Sequence, residues 1–163
     1  SWSPVVAAAA QPAFVLGNAT LSSAMFPPVQ VVDSYYAEWL RMPSPGVYVY
    51  DFGQNGPGWC RLRITGPRGL QIQLRHAEVL QHPPYGPEDG NIYVANLRSA
   101  KATDVYILKG DPDGETFEPT FTAHGFRYVE LTGVVEPPTL EMLEVVRIRS
   151  NVDQSGDLTF SDT

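Results

Sequence analysis

The sequence of 163 residues has few of the features that mark several common protein classes. It contains one cysteine, Cys60, and therefore cannot form an internal disulfide. We interpret Cys60 as a small buried strand residue, because no neighbouring base would activate a catalytic thiol. Lysine and arginine total 11 against 18 aspartate and glutamate residues, so the net charge is −7. We expect no nucleic-acid partner, since binding phosphates requires clustered basic residues.

Long hydrophobic runs and long helical periods are also missing. The longest uncharged stretch, residues 1–32, is interrupted by Pro, Gln, Asn and Ser, so we expect no membrane span. No segment with a helical period exceeds about two turns. The 15 prolines and 14 glycines are scattered along the chain, which disfavours a helical bundle.

The sequence does contain short segments that are rich in β-branched and aromatic residues or in which apolar and polar residues alternate. In 59–64 and 70–75, apolar residues alternate with polar ones, so one face of each strand should be buried. We predict a hairpin connection at 66–69, and a strand pair joined around His124-Gly125. The pattern predicts an all-β fold, an antiparallel β-sandwich or jelly roll with little helix. The other predicted strands are 29–31, 47–52, 103–108, 116–122, 126–132 and 143–149.

The densest run of functional side chains is residues 51–59. A strand ends on Asp51, three glycines surround Gln54 and Asn55, and Trp59 opens the next strand. One interpretation is a tight connection in which Asp51 and Asn55 bind their own backbone. The alternative is a loop that contacts a sugar through Asn55 and Trp59, or that binds calcium through carboxylate and amide oxygens.

Three further clusters offer candidate ligands. Glu78 ends the cluster Arg75-His76-Ala77-Glu78, whose simplest interpretation is a surface arginine and a satisfied histidine at a strand end. His124 and Arg127 lie in an aromatic segment, where Arg127 could instead pair with an acid such as Asp104. Asp89 lies in a proline- and glycine-rich loop, 81–91, that is rich in oxygen ligands or is a plain solvated turn.

Recognisable catalytic signatures are absent. No Gly-x-Ser-x-Gly, His-Glu-x-x-His, Cys-x-x-Cys or Gly-x-x-x-x-Gly-Lys pattern occurs. The three histidines are spaced 6 and 42 residues apart, which is not a recognisable zinc set. We therefore assign no catalytic residue.

An ordered series of segments resembles the β-domain of bacterial-type α-L-rhamnosidases. It begins with Val49-Tyr50-Asp51-Phe52-Gly53-Gln54-Asn55 and Gly58-Trp59, and it includes Leu74-Arg75-His76-Ala77-Glu78 and His124-Gly125-Phe126-Arg127-Tyr128. Such a series is far more specific than one short motif. The remaining segments, in order, are 66–69, 79–80, 89–93, 96–100, 102–110, 118–122 and 129–130.

This resemblance implies a concanavalin-like or jelly-roll sandwich within a multidomain glycoside hydrolase. Enzymes of this family cleave terminal α-L-rhamnose with inversion, and their catalytic carboxylates lie on an (α/α)6 barrel. We expect an N-terminal extension with edge strands at 1–45, the sandwich at 46–150, and a lead-in to the barrel at 151–163. The resemblance places no catalytic group in this chain, so we expect no activity from it alone.

Three functions remain open from the sequence. The first is a structural module that packs against the rest of a multidomain glycosidase. The second is a carbohydrate-binding module for a rhamnose-containing glycan, either calcium-dependent or without a required cofactor, and the third is a weak enzyme. Localisation is open, with a secreted or extracellular location favoured, where the Asn18-Ala19-Thr20 sequon would matter. The candidate sugar-binding residues are Asn55, Trp59, Glu78, His124 and Arg127, and the candidate calcium ligands are Asp51, Asn55 and Asp89.

Overall fold

Ten β-strands make up most of the regular structure in the described part of the chain. The computed structural model describes residues 25–159 together with Ser23 and Ser161, so the Asn18 sequon lies outside the described residues. Two single-turn 3-10 helices, Ala95–Leu97 and Leu140–Met142, are the helical segments of this part of the chain. The strands are Val29–Tyr36 (β1), Trp39–Ser44 (β2), Val47–Ile64 (β3), Gln71–Ala77 (β4), Val79–Leu80 (β5), Ile92–Tyr93 (β6), Thr103–Ile107 (β7), Glu115–Phe117 (β8), His124–Thr132 (β9) and Leu143–Ser150 (β10).

The strands form one large antiparallel sheet and one small one. The large sheet has the order β1-β10-β3-β9-β4-β7, with β2 and β8 also paired to β3, and β5 pairs with β6. The first part of β3 pairs with β2 and β9, whereas its last part pairs with β10 and β8. Because one strand thereby contributes to both layers, the sheet curls over its own apolar face into the predicted β-sandwich.

The core between the layers follows the predicted alternation. Cys60, Leu62 and Ile64 are buried while Arg63 is exposed, and the same two-residue period buries Ile72 and Leu74. The single cysteine is thus a buried strand residue, as expected. The largest fully buried apolar side chains are those of Tyr50, Phe52, Phe126, Leu62, Ile72, Leu74, Ile92, Leu108, Leu131 and Leu143.

The glycine-rich segment 53–58 is not the tight connection that one interpretation of the sequence gave. It continues β3, which runs unbroken from Val47 to Ile64. Glycine is needed at Gly58 because a Cβ there would lie 2.1 Å from the carbonyl oxygen of Val146 on β10. The glycines therefore let neighbouring strands approach closely while β3 passes from one layer to the other.

Two predicted pairings are wrong. Strands β3 and β4 do not form a hairpin across 66–69, since β4 pairs with β9 and β7. Strand β8 ends at Phe117 and pairs with β3, whereas β9 pairs with β3 and β4. Sequence neighbours are separated because the long β3 occupies the centre of the sheet and offers pairing edges to four strands.

No helix in residues 25–159 is both long enough and apolar enough to cross a membrane.

Candidate functional site

A wide bulge in β3 organises the site. Asp51 pairs with Tyr128 and Gly56 with Phe126, so residues 52–55 all lie opposite Arg127. Gly53 has a φ of 77°, and the Glu38 carboxylate occupies the space where a Cβ would project. Bulges of this kind bend a strand and redirect its side chains. Here the bulge directs Asn55 toward Glu78, to which its amide donates a hydrogen bond of 3.3 Å.

Arg147 on β10 donates hydrogen bonds to the backbone of the bulge. Its guanidinium donates hydrogen bonds to the carbonyl oxygens of Gln54 (2.6 Å), Gly56 (2.6 Å) and Phe126 (3.0 Å). Its Nε also donates to the hydroxyl of Tyr35 at 3.0 Å. The side chain is buried. One buried cation thus donates to three carbonyl groups in and opposite the bulge.

Asp51 and Arg127 form a two-pronged ion pair at the start of the bulge. Arg127 Nε and Nη2 each lie 2.7 Å from one Asp51 carboxylate oxygen. The backbone N–H of Gly53 also donates to Asp51 at 2.7 Å. Asp51 is 1% exposed, whereas the side chain of Arg127 is 37% exposed. The hydrogen bonds and charge of Asp51 raise the pKa of Arg127, which stays a cation at the surface.

Glu78 is fixed between the bulge and the first 3-10 helix. One of its carboxylate oxygens accepts from Asn55, and the other accepts from the amide of Asn96 at 3.1 Å. This carboxylate follows β4 directly, at the point where the chain turns into β5. Two amides from different segments therefore define where its charge lies.

Glu78 and Arg127 meet in an open cleft of about 810 Å³, here called the polar cleft. Arg41 lies over the indole ring of Trp39, with 4.5 Å from its guanidinium carbon to the ring centroid. The cleft thus combines carboxylates, guanidinium groups and the aromatic ring of Tyr128, which are groups that bind hydroxyl-rich ligands. Its lining includes Arg41, Glu78, Glu88, Asp89, Arg127 and Tyr128.

The three candidate calcium ligands have separate partners. Both oxygens of Asp51 bind Arg127, and the Asn55 amide donates to Glu78. Asp89 accepts from the backbone N–H of Asn91 at 3.0 Å, and this hydrogen bond lowers the pKa of its carboxyl group. Asp89 lines the polar cleft, whereas Asp51 is buried and does not line it. Calcium binding by this set would require Asp51 to release Arg127.

Trp59 lies in a different place, an apolar hollow of about 710 Å³ lined by Trp59, residues 118–123 and Ile148. The indole N–H donates to Glu118 at 2.6 Å, and Arg61 binds the same carboxylate at 2.9 Å. The guanidinium of Arg61 is the main cause that lowers the pKa of Glu118. Phe121 on the rim is fully exposed, with a φ of 59°. The exposed ring leaves this hollow with an apolar surface facing solvent.

His124 belongs to a third place, a nearly buried group here called the buried triad, made of His76, Asp104 and His124. His124 Nε2 lies 3.1 Å from both Asp104 oxygens, and its ring stacks on that of His76 with centroids 4.1 Å apart. Burial, followed by the neighbouring His124, lowers the pKa of His76 to about 4. Arg127 pairs with an acid, as one interpretation expected, but the acid is Asp51 rather than Asp104, because alternation along β9 turns His124 toward the core and Arg127 away.

The sequence therefore identifies most of the candidate site residues, but it does not predict which of them lie together in the fold. The structure brings Asn55, Glu78 and Arg127 together at the bulge and the polar cleft, and it puts Trp59 and His124 elsewhere. The partners Asn96 and Arg41 carry no local signal. His76 does carry one, because the two-residue period that buries Ile72 and Leu74 extends to it.

Comparison with known proteins adds the family context. A family model described as the bacterial alpha-L-rhamnosidase concanavalin-like domain matches residues 41–149. The chain is 52% identical over 112 residues to an alpha-L-rhamnosidase of Streptomyces avermitilis, which covers 69% of this chain and 10% of that protein. An alpha-L-rhamnosidase of Alteromonas sp. is 37% identical over 109 residues, covering 67% and 11%. The chain spans about a tenth of the length of these curated relatives.

Solved structures share the fold. The crystal structure of Streptomyces avermitilis alpha-L-rhamnosidase complexed with L-rhamnose matches with a TM-score of 0.71 and 46% identity, over 77% of this chain and 12% of that one. The alpha-L-rhamnosidase from Dictyoglumus thermophilum matches with a TM-score of 0.77 and 40% identity, over 86% and 15%. The second similarity covers a larger share of the chain than residues 41–149 do.

Proposed function

Because the chain belongs to the bacterial alpha-L-rhamnosidase concanavalin-like domain family, we propose that it serves as a non-catalytic β-sandwich module of a longer glycoside hydrolase. The parent enzyme would hydrolyse terminal α-L-rhamnose with inversion, on catalytic carboxylates of a separate (α/α)6 domain reached through residues 151–163. The observation that carries this proposal is the small share of the relatives' length that this chain covers. The chain aligns with only 10% of the Streptomyces avermitilis enzyme by sequence and 12% by structure.

The state of the carboxyl groups supports a non-catalytic role. Inverting hydrolysis needs a carboxylic acid that stays protonated and a second carboxylate about 6.5–9.5 Å away. Both oxygens of Glu78 accept hydrogen bonds from amides, and hydrogen bonding lowers the pKa of Asp89. Within residues 25–159, each carboxyl group with a shifted pKa has it lowered. A lowered pKa opposes proton donation to a leaving group.

The apolar hollow supports the packing role. Phe121 exposes its whole ring, and Trp59, Pro119 and Ile148 continue the apolar surface around it. Exposed apolar patches mark surfaces that contact another protein or domain. We propose that a neighbouring domain of the same polypeptide covers this hollow in the parent enzyme.

The polar cleft supports a second role, in substrate approach. Arg41, Glu78 and Arg127 present charged groups that are already oriented by partners inside the chain. Preorganised hydrogen-bonding groups bind hydroxyl-rich ligands with little loss of side-chain entropy. We propose that this cleft borders the path by which a rhamnose-containing glycan reaches the catalytic domain.

The same cleft favours one alternative function, a stand-alone carbohydrate-binding module. In that case the cleft would hold the sugar without help from another domain, with or without calcium. The two functions differ in whether the isolated chain binds the sugar. A cleft that only borders a larger active site offers part of the sugar contacts, whereas a stand-alone module offers all of them.

Calorimetric titration of the isolated chain with L-rhamnose, with and without calcium, separates them. The module proposal predicts no saturable heat at millimolar sugar. The alternative predicts saturable binding that is lost in Arg41→Ala but kept in Arg68→Ala, whose side chain lies in the exposed 66–69 turn. An aryl-rhamnoside assay on the same protein should give no turnover above buffer. Turnover that Glu78→Gln abolishes would overturn the non-catalytic assignment.

A further inference from the structure

We propose that the buried triad of His76, Asp104 and His124 is a binding site for one divalent transition-metal ion of the zinc type. The three residues come from three adjacent strands, β4, β7 and β9. Imidazole and carboxylate are ligands that zinc accepts, and three protein ligands plus one open position are a common zinc arrangement.

The spacing of the ligand atoms supports the proposal. One nitrogen or oxygen from each residue lies within 4.8 Å of the other two. His124 Nε2 is 3.1 Å from Asp104, and His76 Nε2 is 3.8 Å from the same carboxylate. Ligand bonds of about 2.0–2.1 Å in a tetrahedron place neighbouring ligand atoms roughly 3.3 Å apart. The separations of 3.1 and 3.8 Å bracket this value, so both histidine nitrogens lie close to coordination spacing from Asp104.

An unpaired nitrogen is the second, independent observation. His76 is fully buried, and its Nε2 has no hydrogen-bond partner among the residues that the structure describes. Its other nitrogen, Nδ1, lies 3.0 Å from the carbonyl oxygen of Ala102 and donates its proton there. This fixes the tautomer that leaves a lone pair on Nε2, facing Asp104. Metal-bound histidines almost always hold their second nitrogen in this way.

A hydrogen-bonded triad without a metal does not account for the unpaired Nε2 of His76. In that arrangement His124 donates to Asp104, but the buried Nε2 of His76 gains nothing, and a buried unsatisfied polar atom is costly. A bound cation would occupy the lone pairs of both imidazoles and offset the charge of Asp104. The rings are stacked at an interplanar angle of 25°. Binding therefore requires His124, the less buried of the two, to turn its ring toward the ion.

The test uses the 163-residue chain after treatment with a chelator. Titration with zinc chloride should give one ion per chain, and cobalt(II) should give the visible absorption bands of a tetrahedral site. Because the ligands join three strands, zinc should also raise the thermal midpoint, whereas magnesium should not. These measurements do not depend on rhamnosidase activity.

Matched variants locate the ion. Asp104→Asn and His124→Ala should each weaken zinc binding at least tenfold, while His82→Ala, which removes the exposed histidine, should leave it unchanged. Circular dichroism of each variant would establish that it is folded before the titration. A folded wild-type chain that binds no zinc would overturn the site. So would zinc binding that survives both triad substitutions or that disappears in His82→Ala.

Discussion

The polar cleft and the apolar hollow differ in where their side chains find partners. In the polar cleft, Arg127 binds Asp51 and Glu78 binds two amides, so its charged groups are oriented by the fold of this chain. In the apolar hollow, the indole N–H of Trp59 is satisfied by Glu118, but the ring of Phe121 contacts solvent on all sides. The first surface is therefore preorganised by the chain, whereas the second gains stability only from a molecule or domain outside it.

The largest effect should come from Arg147, the buried cation that binds the backbone of the bulge. Replacing Arg147 by Leu removes a buried cation that donates to three carbonyl groups at the bulge. We expect a loss of about 3–5 kcal/mol in the free energy of unfolding, measured by urea denaturation. Arg149→Leu on the same strand is the control, since that side chain is exposed, and it should change stability by less than about 0.5 kcal/mol. Equal losses would refute the view that the bulge needs its buried cation.

The ion pair that closes the bulge should rank second. Asp51→Asn keeps the volume but loses the charge that both prongs of Arg127 bind. Arg127 is partly solvated, which reduces the effect, so we expect a loss of about 2–3 kcal/mol. Asp157→Asn, at an exposed position, is the matched control. If Asp51→Asn unfolds at the same urea concentration as that control, the cleft is not preorganised by this pair.

The sequence predicts the layers of this fold better than its site, for a physical reason. Alternation in 59–64 and 70–75 reports which side of a strand is buried, and the burial of Cys60 and Leu74 follows from it. Alternation does not report which strands are neighbours, so 66–69 was expected to join a hairpin that does not exist.

The site depends on those unknown neighbours. Asp51 meets Arg127 across 76 residues of sequence, and Arg147 reaches Gln54 across 93. Glycines at 53, 56 and 58 are typical of a turn, yet they mark a bulge within a central strand. Only the pairing of β3 with β9 and β10 distinguishes the two, and that pairing is a property of the whole sheet.

A third prediction extends the comparison to pH. Like the charged groups of the polar cleft, Glu115 is oriented by partners within the chain. Its carboxylate accepts hydrogen bonds from the Tyr106 hydroxyl (2.5 Å) and from the backbone N–H groups of Lys109 (3.0 Å), Gly110 (2.8 Å) and Asp111 (3.2 Å). These bonds, with that from Tyr106 the largest cause, lower the pKa of Glu115 from 4.5 to about 2.

A group whose pKa is lowered by folding stabilises the folded state above its unfolded pKa. The contribution of Glu115 should therefore be complete above about pH 5 and decline as the pH falls from 4.5 toward 2. Glu115→Gln should lower the urea midpoint at neutral pH and flatten its dependence on pH in that window. Glu136→Gln, at an exposed position, should retain the wild-type slope. A parallel pair of curves for Glu115→Gln and wild type would contradict the assignment.

The smallest effect is expected in the apolar hollow, where it separates the two surfaces most clearly. Phe121 has a φ of 59°, a conformation that favours glycine, and its side chain is fully exposed. Phe121→Gly should therefore leave the stability of the chain unchanged or raise it by up to about 1 kcal/mol. Val135→Gly is the matched control, since Val135 is also exposed but does not have a positive φ. That substitution should cost about 0.5–1 kcal/mol. If Phe121→Gly instead destabilised the chain more than Val135→Gly, the ring would have a partner inside this chain, and the apolar hollow would no longer differ in kind from the polar cleft.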